Sequence, residues 1–331
     1  MSEMLVGETG SRPLPRRGWV RTLGRVLGKS SVLPILVPLW IAFTLLAPSF
    51  GTARNVQALL AGTAVVFVAA IGETFVLLTG GIDLSVSTVV ACSAVTAAYV
   101  MGPEGDWVTG LLICLGIGLA FGLINGFSVA WLGLTPFVFT LGTNLVARGI
   151  AFTLSEGIAI RVPKAIRLFG RTDWLGLPAT AVIAIGLLIL FQFLLTQTSW
   201  GRYVCLYGAN RGAARYVGLR HRLVEGSVYL LTGFLAGLAG FLSLANLGAA
   251  IPGVGDTILL TIVGGVILGG TSMFGGVGAV WRTAIGVLLL AALTNGLNLL
   301  GFDFYDQLIA QGIVIILGTA MTVRFGQERR G

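Results

Sequence analysis

Residues 57–101 read QALLAGTAVVFVAAIGETFVLLTGGIDLSVSTVVACSAVTAAYVM. Two apolar runs, 57–79 and 84–101, are joined by the glycine pair Gly80-Gly81 and by a carboxylate, Asp83. A membrane-spanning helix needs about 20 predominantly apolar residues, so this stretch reads as two spans meeting at a break. A charge at bilayer depth costs about 2.5–3.5 kcal/mol on insertion scales, and each glycine weakens a helix by roughly 1 kcal/mol. A plain membrane anchor has no use for either.

The pattern of the first two spans repeats along the chain. Of 331 residues, 56% are hydrophobic and only 10% charged, with a mean hydropathy of +0.94. Soluble globular domains carry about 25% charged residues, so this is a polytopic, all-α transmembrane helical bundle. Apolar runs near 31–50, 57–79, 84–101, 108–132, 136–154, 179–196, 226–247, 257–270, 278–300 and 306–323 predict about ten spans. The 49 glycines suit membrane helices whose backbones approach closely.

Orientation follows from the basic residues. Arg12, Arg16, Arg17, Arg21, Arg25 and Lys29 precede the first span, which places the 1–30 tail in the cytoplasm. The prolines of that span (Pro34, Pro38, Pro48) argue for an uncleaved first helix rather than a signal peptide. Ten spans form one transmembrane domain over 31–323 and return the 324–331 tail inside, with Arg324, Arg329 and Arg330. The basic loop 197–224 also falls inside. Loop 155–178 is predicted outside although it holds Arg161, Lys164, Arg167 and Arg171.

Several chemistries are excluded. His221 is the single histidine, and Cys92, Cys114 and Cys205 have no metal or redox spacing, so no metal site is expected. Neither lysine, Lys29 or Lys164, lies in G-x-x-x-x-G-K, so the chain has no phosphate-binding loop of its own and is not expected to be an enzyme. The +8 net charge sits mainly beside the spans, where it suits anionic lipid rather than nucleic acid.

Five segments carry a resemblance when read in order: GETFVLLTGGIDLSVS (72–87), TPFVFTLGTNLVARGI (135–150), GRYVCLYGANRGAARYVGL (201–219), YLLTGFLAGLAG (229–240) and the glycine-rich 264–300, which ends in TNGLNLL. Over roughly residues 55–320 the chain resembles the permease subunit of bacterial monosaccharide ABC importers, of the ribose, xylose, arabinose and galactose type. It departs from the usual pattern at Ser87, where glycine is common. The resemblance implies a multi-pass protein of the bacterial inner membrane with both termini cytoplasmic. It further implies a second permease subunit, identical or paralogous, a periplasmic sugar-binding protein, and a cytoplasmic ATPase that uses the ATP. This chain would then need no cofactor.

The residues supply candidates for each contact. Glu73, Asp83, Ser85, Asn125 and Asn295 are expected along the translocation pathway, because carboxylates and amides bond sugar hydroxyls without a fixed counter-charge. Asp83 also fits a structural role, capping the helix that starts near Ser85. Glu73 calls for a partner, Arg148 or a pore water. Asn210, Arg211, Ala213, Ala214, Arg215 and Gly218 read as a short helix starting after Asn210 and ending at Gly218. Ala213, Ala214 and Val217 are expected to share its small apolar face, with Arg211 and Arg215 beside it. The segment resembles the helix that couples to the ATPase in that family, the alternative being an interfacial helix held by anionic headgroups. Arg161, Lys164, Arg167 and Arg171 suit either an acidic rim on the binding protein or lipid phosphates. A short echo, Leu123-Ile124-Asn125-Gly126 against Leu293-Thr294-Asn295-Gly296, fits an inverted repeat. A different class remains open, an ion-coupled secondary transporter of a small polar solute, for which Glu73 and Asp83 would be the acids.

Overall fold

The computed structural model describes residues 32–216 and 218–327. The basic tail, Val217, and Arg329 and Arg330 lie outside the described residues, as does the Arg215 side chain. In chain order the helices are α1 (Leu33–Leu46), α2 (Ala53–Leu78), α3 (Val86–Met101), α4 (Trp107–Ala130), α5 (Pro136–Ser155), α6 (Lys164–Gly170) and α7 (Ala179–Gln197). They continue with α8 (Ser199–Ala209), α9 (Arg211–Tyr216), α10 (His221–Leu247), α11 (Val254–Leu268), α12 (Val280–Leu299) and α13 (Phe304–Gln327). Six of these, α2, α4, α5, α7, α10 and α12, are long and apolar enough to cross a membrane by length and composition. The other four predicted spans coincide with shorter apolar helices at α1, α3, α11 and the apolar part of α13.

The short spans have a physical cause at the breaks. α2 ends in a Schellman motif: Gly80, at φ +76°, donates its N–H to the Leu77 carbonyl at 2.9 Å, and Gly81 donates to Val76 at 3.1 Å. The chain then runs back beside α2, so that the Asp83 N–H reaches Glu73 Oε1 at 3.3 Å before α3 begins. α11 ends the same way, with Gly270 at φ +82° donating to Ile267 at 2.8 Å and Thr271 donating to Val266 at 3.3 Å. The first break returns chain into the protein, the second forms an exposed turn, and each has a short helix beside it, α3 and α11.

Helix α10 is the centre of the bundle, packed on α2, α3 and α4 with most of its surface buried. Its closest approach is to α4. Gly118, Gly122 and Gly126, spaced four apart, face Gly233, Gly237, Tyr229 and Gly226 so closely that a Cβ on Gly122 would lie 2.8 Å from the Tyr229 carbonyl. A Cβ on Gly118 would overlap the Gly233 carbonyl. Small residues at four-residue spacing let two membrane helices touch along their backbones. A second cluster joins α1 to α12 through Leu36, Phe43, Leu289 and Leu293, with Phe50 from the turn that follows α1.

Contacts sort the connections onto two ends. At one end the α2–α3 break meets the α11–α12 break, where Gly276 donates to the Leu78 carbonyl at 2.9 Å. Arg211 of α9 donates to the Thr79 carbonyl there at 3.2 Å. At the other end, strand β1 (Ile160–Arg161) pairs antiparallel with β4 (Ala249–Ala250), and a hairpin pairs β2 (Asp173–Trp174) with β3 (Leu177–Pro178). Gln57 at the start of α2 donates to the Gly176 carbonyl at 3.3 Å, holding this cap on the bundle.

The glycine contacts predict a graded response. Gly118→Ala should cost about 1–3 kcal/mol by overpacking α4 on α10. Gly116→Ala, which meets nothing within 4 Å, should be neutral or gain up to ~1 kcal/mol of helix propensity. Thermal unfolding of the two purified variants in detergent distinguishes them; equal melting points would contradict the packing described.

Candidate functional site

Four of the predicted pathway residues meet in one buried polar cluster. The strap 79–85 brings Asp83 and Ser85 to α4 and α5, beneath the C-terminal turns of α2. Asp83 Oδ1 accepts the Ser85 N–H at 2.9 Å and the Ser85 hydroxyl at 2.6 Å. Asn125 of α4 donates to Ser85 Oγ at 2.8 Å and to Asp83 Oδ2 at 3.4 Å, while its own Oδ1 accepts from Thr143 of α5 at 2.9 Å. The strap backbone is held too: the Leu84 N–H donates to Thr140 Oγ1 at 3.1 Å, and the Leu84 carbonyl accepts from Asn144 at 2.6 Å. Glu73, Asp83, Ser85 and Asn125 are at most 2% exposed. In this conformation Asp83 organises the start of α3 and ties it to α4.

Glu73 differs from the expectation that Arg148 pairs with it. Arg148 pairs with Asp256 at 2.9 Å, a half-exposed bridge between α5 and α11 at the opposite end. Glu73 Oε1 instead accepts the Asp83 N–H, and Glu73 Oε2 and the Tyr229 hydroxyl are buried without hydrogen-bond partners. Asn295 does not join the cluster. It exchanges amide hydrogen bonds of 2.9 and 3.2 Å with Asn55, near the far end of α12. Asn125 and Asn295 therefore sit in the last turns of helices that approach opposite ends.

The segment expected to couple is a six-residue helix, α9, capped where predicted. Asn210 Oδ1 accepts the Ala213 N–H at 2.9 Å, and Gly218 follows at φ +74°. Ala213 and Ala214 share a face as expected, both lining one cleft, but unequally: Ala214 is 4% exposed and packs into the core, whereas Ala213 is exposed. The two side chains lie about 100° apart around the helix, and the backbone packs on the Ala214 side. The cleft is open and largely apolar, about 570 Å³, and is lined by Ala213 and Ala214 with Tyr203, Leu206, Leu219 and Leu223. Arg211 turns inward, to Thr79 and to Glu225 of α10 at 3.4 Å. Tyr207 donates to the other oxygen of Glu225 at 2.8 Å. Sequence reading missed Glu225 and Tyr207. Glu225 lies one residue before the apolar run taken as the span, so nothing marked it as buried.

Arg161, Lys164, Arg167 and Arg171 are all exposed on the opposite end, around α6, whose Ile166 is fully buried and pins it to the bundle.

The sequence that builds this helical bundle matches a known family. Residues 55–318 fit the family described as branched-chain amino acid transport system / permease component. The chain belongs to this permease family. The permease is 36% identical over 298 residues to the ribose import permease protein RbsC of Escherichia coli strain K12, covering 88% of this chain and 92% of that one. It is also 36% identical over 307 residues to RbsC of Bacillus subtilis strain 168, covering 92% and 93%. The L-arabinose transport system permease protein AraH of E. coli K12 is 30% identical over 311 residues, covering 93% and 94%. No solved structure matches. The permease is thus a multi-pass membrane transport protein.

The cluster predicts unequal costs for two polar deletions. Asn125→Leu removes the donor to Asp83 Oδ2 and Ser85 Oγ, at about 1–3 kcal/mol for a buried group left unpaired, while the Thr143 hydroxyl keeps the Thr140 carbonyl at 3.2 Å. Arg148→Ala breaks a half-exposed bridge and should cost about 0–1 kcal/mol. A smaller loss of thermal stability for Asn125→Leu than for Arg148→Ala would contradict the assignment of Asn125 as the cluster's centre.

Proposed function

We propose that this permease is the membrane subunit of a monosaccharide ABC importer of the bacterial inner membrane, with both termini cytoplasmic. It works beside a second permease subunit, is fed by a periplasmic sugar-binding protein and is driven by a separate ATPase. The observation that carries the reading is near-full-length identity of 36% with ribose import permeases from two distant bacteria, joined to a sequence without a phosphate-binding loop. The family description names branched-chain amino acids, but relatives at 30–36% identity that align over most of the chain include permeases named for ribose, allose and arabinose. A sugar is therefore the favoured solute.

On this reading the end carrying α8, α9 and the two breaks is cytoplasmic. The cleft beside Ala213 and Ala214 receives an apolar element of the ATPase, with Asn210 and Gly218 fixing the ends of α9 and Arg215 adding a positive charge to its sequence. The opposite end, with Arg161, Lys164, Arg167 and Arg171, meets an acidic rim on the binding protein. Glu73, Asp83, Ser85 and Asn125 form the inner wall of the pathway, sealed in this conformation, and Asn295 stiffens its outer end.

Affinity purification from the native membrane tests the reading. Co-purification of a P-loop ATPase and a sugar-binding protein is expected; their reproducible absence would turn attention to an ion-coupled transporter.

Two substitutions locate the contacts. Ala213→Glu should leave the permease folded and abolish association with the ATPase, whereas Ala214→Glu buries an unpaired carboxylate and should cost several kcal/mol of stability. Co-purification and size-exclusion profiles read both. At the other end, Arg167→Glu with Arg171→Glu should weaken stimulation of ATP hydrolysis by the loaded binding protein, with a smaller deficit at high salt because exposed charges are screened. An unchanged stimulation curve would assign these residues to lipid.

A further inference from the structure

Three segments converge where α2 ends. The last carbonyls of a helix have no partner within it, and in α2 two of them are taken by other parts of the chain. Leu78 accepts the Gly276 N–H from the α11–α12 break at 2.9 Å, and Thr79 accepts Arg211 Nη2 from α9 at 3.2 Å. Gly208 of α8 packs onto the same Leu78 carbonyl, in a space no side chain would fit. The end of α2 is therefore bonded directly to the segment that carries α9.

Arg211 is held on both sides. Its guanidinium lies 3.4 Å from Glu225 Oε1 and 5.1 Å over the Tyr207 ring, and Tyr207 donates to Glu225 Oε2 at 2.8 Å. Glu225 is 5% exposed, and a buried polar group needs hydrogen-bond partners of this kind. Arg211 belongs to the first turn of α9, so a displacement of α9 pulls on its guanidinium directly. Beyond Thr79, the strap passes through Gly80 and Gly81 to Asp83, which is bonded to Ser85 and Asn125. Tyr229, one turn after Glu225 on α10, presses on Gly81: a Cβ there would lie 2.6 Å from its hydroxyl. The strap is thus gripped at Thr79 and Gly81 by groups anchored on α10, and only the first grip runs through α9.

We propose that Arg211, positioned by Glu225, is the residue that transmits displacement of α9 to the strap 79–85 and so links events at the cytoplasmic end to the sealed polar cluster. This rests on α9 being the ATPase contact. Arg211 acts through Thr79 rather than on the ATPase or on the transported solute, which makes it a positioning residue. A cap serving only stability would make the same bonds, so the test needs a readout of motion.

Hydrogen exchange on the full complex in nanodiscs, with and without ATP and vanadate, supplies it. In the wild type, nucleotide trapping should change exchange in peptides covering 205–216 and 79–85. In Arg211→Gln the change over 205–216 should persist and that over 79–85 should vanish, with uptake falling on the order of tenfold, within the range of about 5–150-fold usual for allosteric coupling. Arg211→Lys, which keeps a cation for Glu225 and a donor for Thr79, should restore most of the response. Glu225→Gln, which keeps an acceptor for Tyr207, should reproduce the loss and serves if Arg211→Gln does not assemble.

A strap that responds to nucleotide in Arg211→Gln as in the wild type would overturn the proposal. If 205–216 responds in the wild type and 79–85 does not, docking at α9 stands and the proposal alone fails. If neither responds, the docking reading fails and the proposal falls with it.

Discussion

Inside a bilayer there is no water to satisfy a peptide group, so irregular backbone at membrane depth survives only where protein supplies every partner. The strap 79–85 is this permease's answer to that constraint. Its amides and carbonyls are taken by Glu73, Thr140 and Asn144, and its carboxylate by Ser85 and Asn125. Much of the bundle is arranged around it: α4 and α5 carry polar residues facing inward at that level, and α10 is thick with glycine so that α4 can come near enough. A polar cluster that is nearly satisfied holds one geometry firmly, and it is costly to leave half-made. Glu73 Oε2 and Tyr229 Oη are left without partners, the latter beside Gly81.

The two ends of the molecule are built differently. One end gathers both glycine breaks under α8 and α9, joined by main-chain hydrogen bonds and by the Arg211–Glu225–Tyr207 group. The other end is a cap of short β pairs and the small helix α6, anchored by buried Val162 and Ile166 and dressed with exposed basic residues. The first construction suits transmission of force into the bundle, and the second suits reversible docking of a soluble partner.

Much of this was legible in the sequence, for reasons that can be named. Apolar runs of bilayer length and the Gly80-Gly81 interruption are signals imposed by the solvent rather than by distant contacts, so the helices and the break fell where expected. Asn210 and Gly218 carry their own cap chemistry and marked the limits of α9. What failed depended on tertiary packing. Ala213 and Ala214 are alike in size and polarity, and six residues offer too little periodicity to say which one is buried. Arg148 was a reasonable partner for Glu73 by charge, but α5 carries it toward the opposite end, where Asp256 waits. Asn295 matched Asn125 in local sequence and found a different neighbour, Asn55, because its helix runs the other way.

An importer subunit without a phosphate-binding loop makes one demand that a self-sufficient transporter does not: its transport must follow ATP supplied to another protein. The most direct measurement is uptake of labelled D-ribose into proteoliposomes containing the permease, its co-purified ATPase and the binding protein, with ATP inside and ionophores present. Uptake that requires ATP and both partners, and that persists when ion gradients are collapsed, is the predicted result. Uptake by the permease alone that vanishes with the ion gradient and ignores ATP would contradict it.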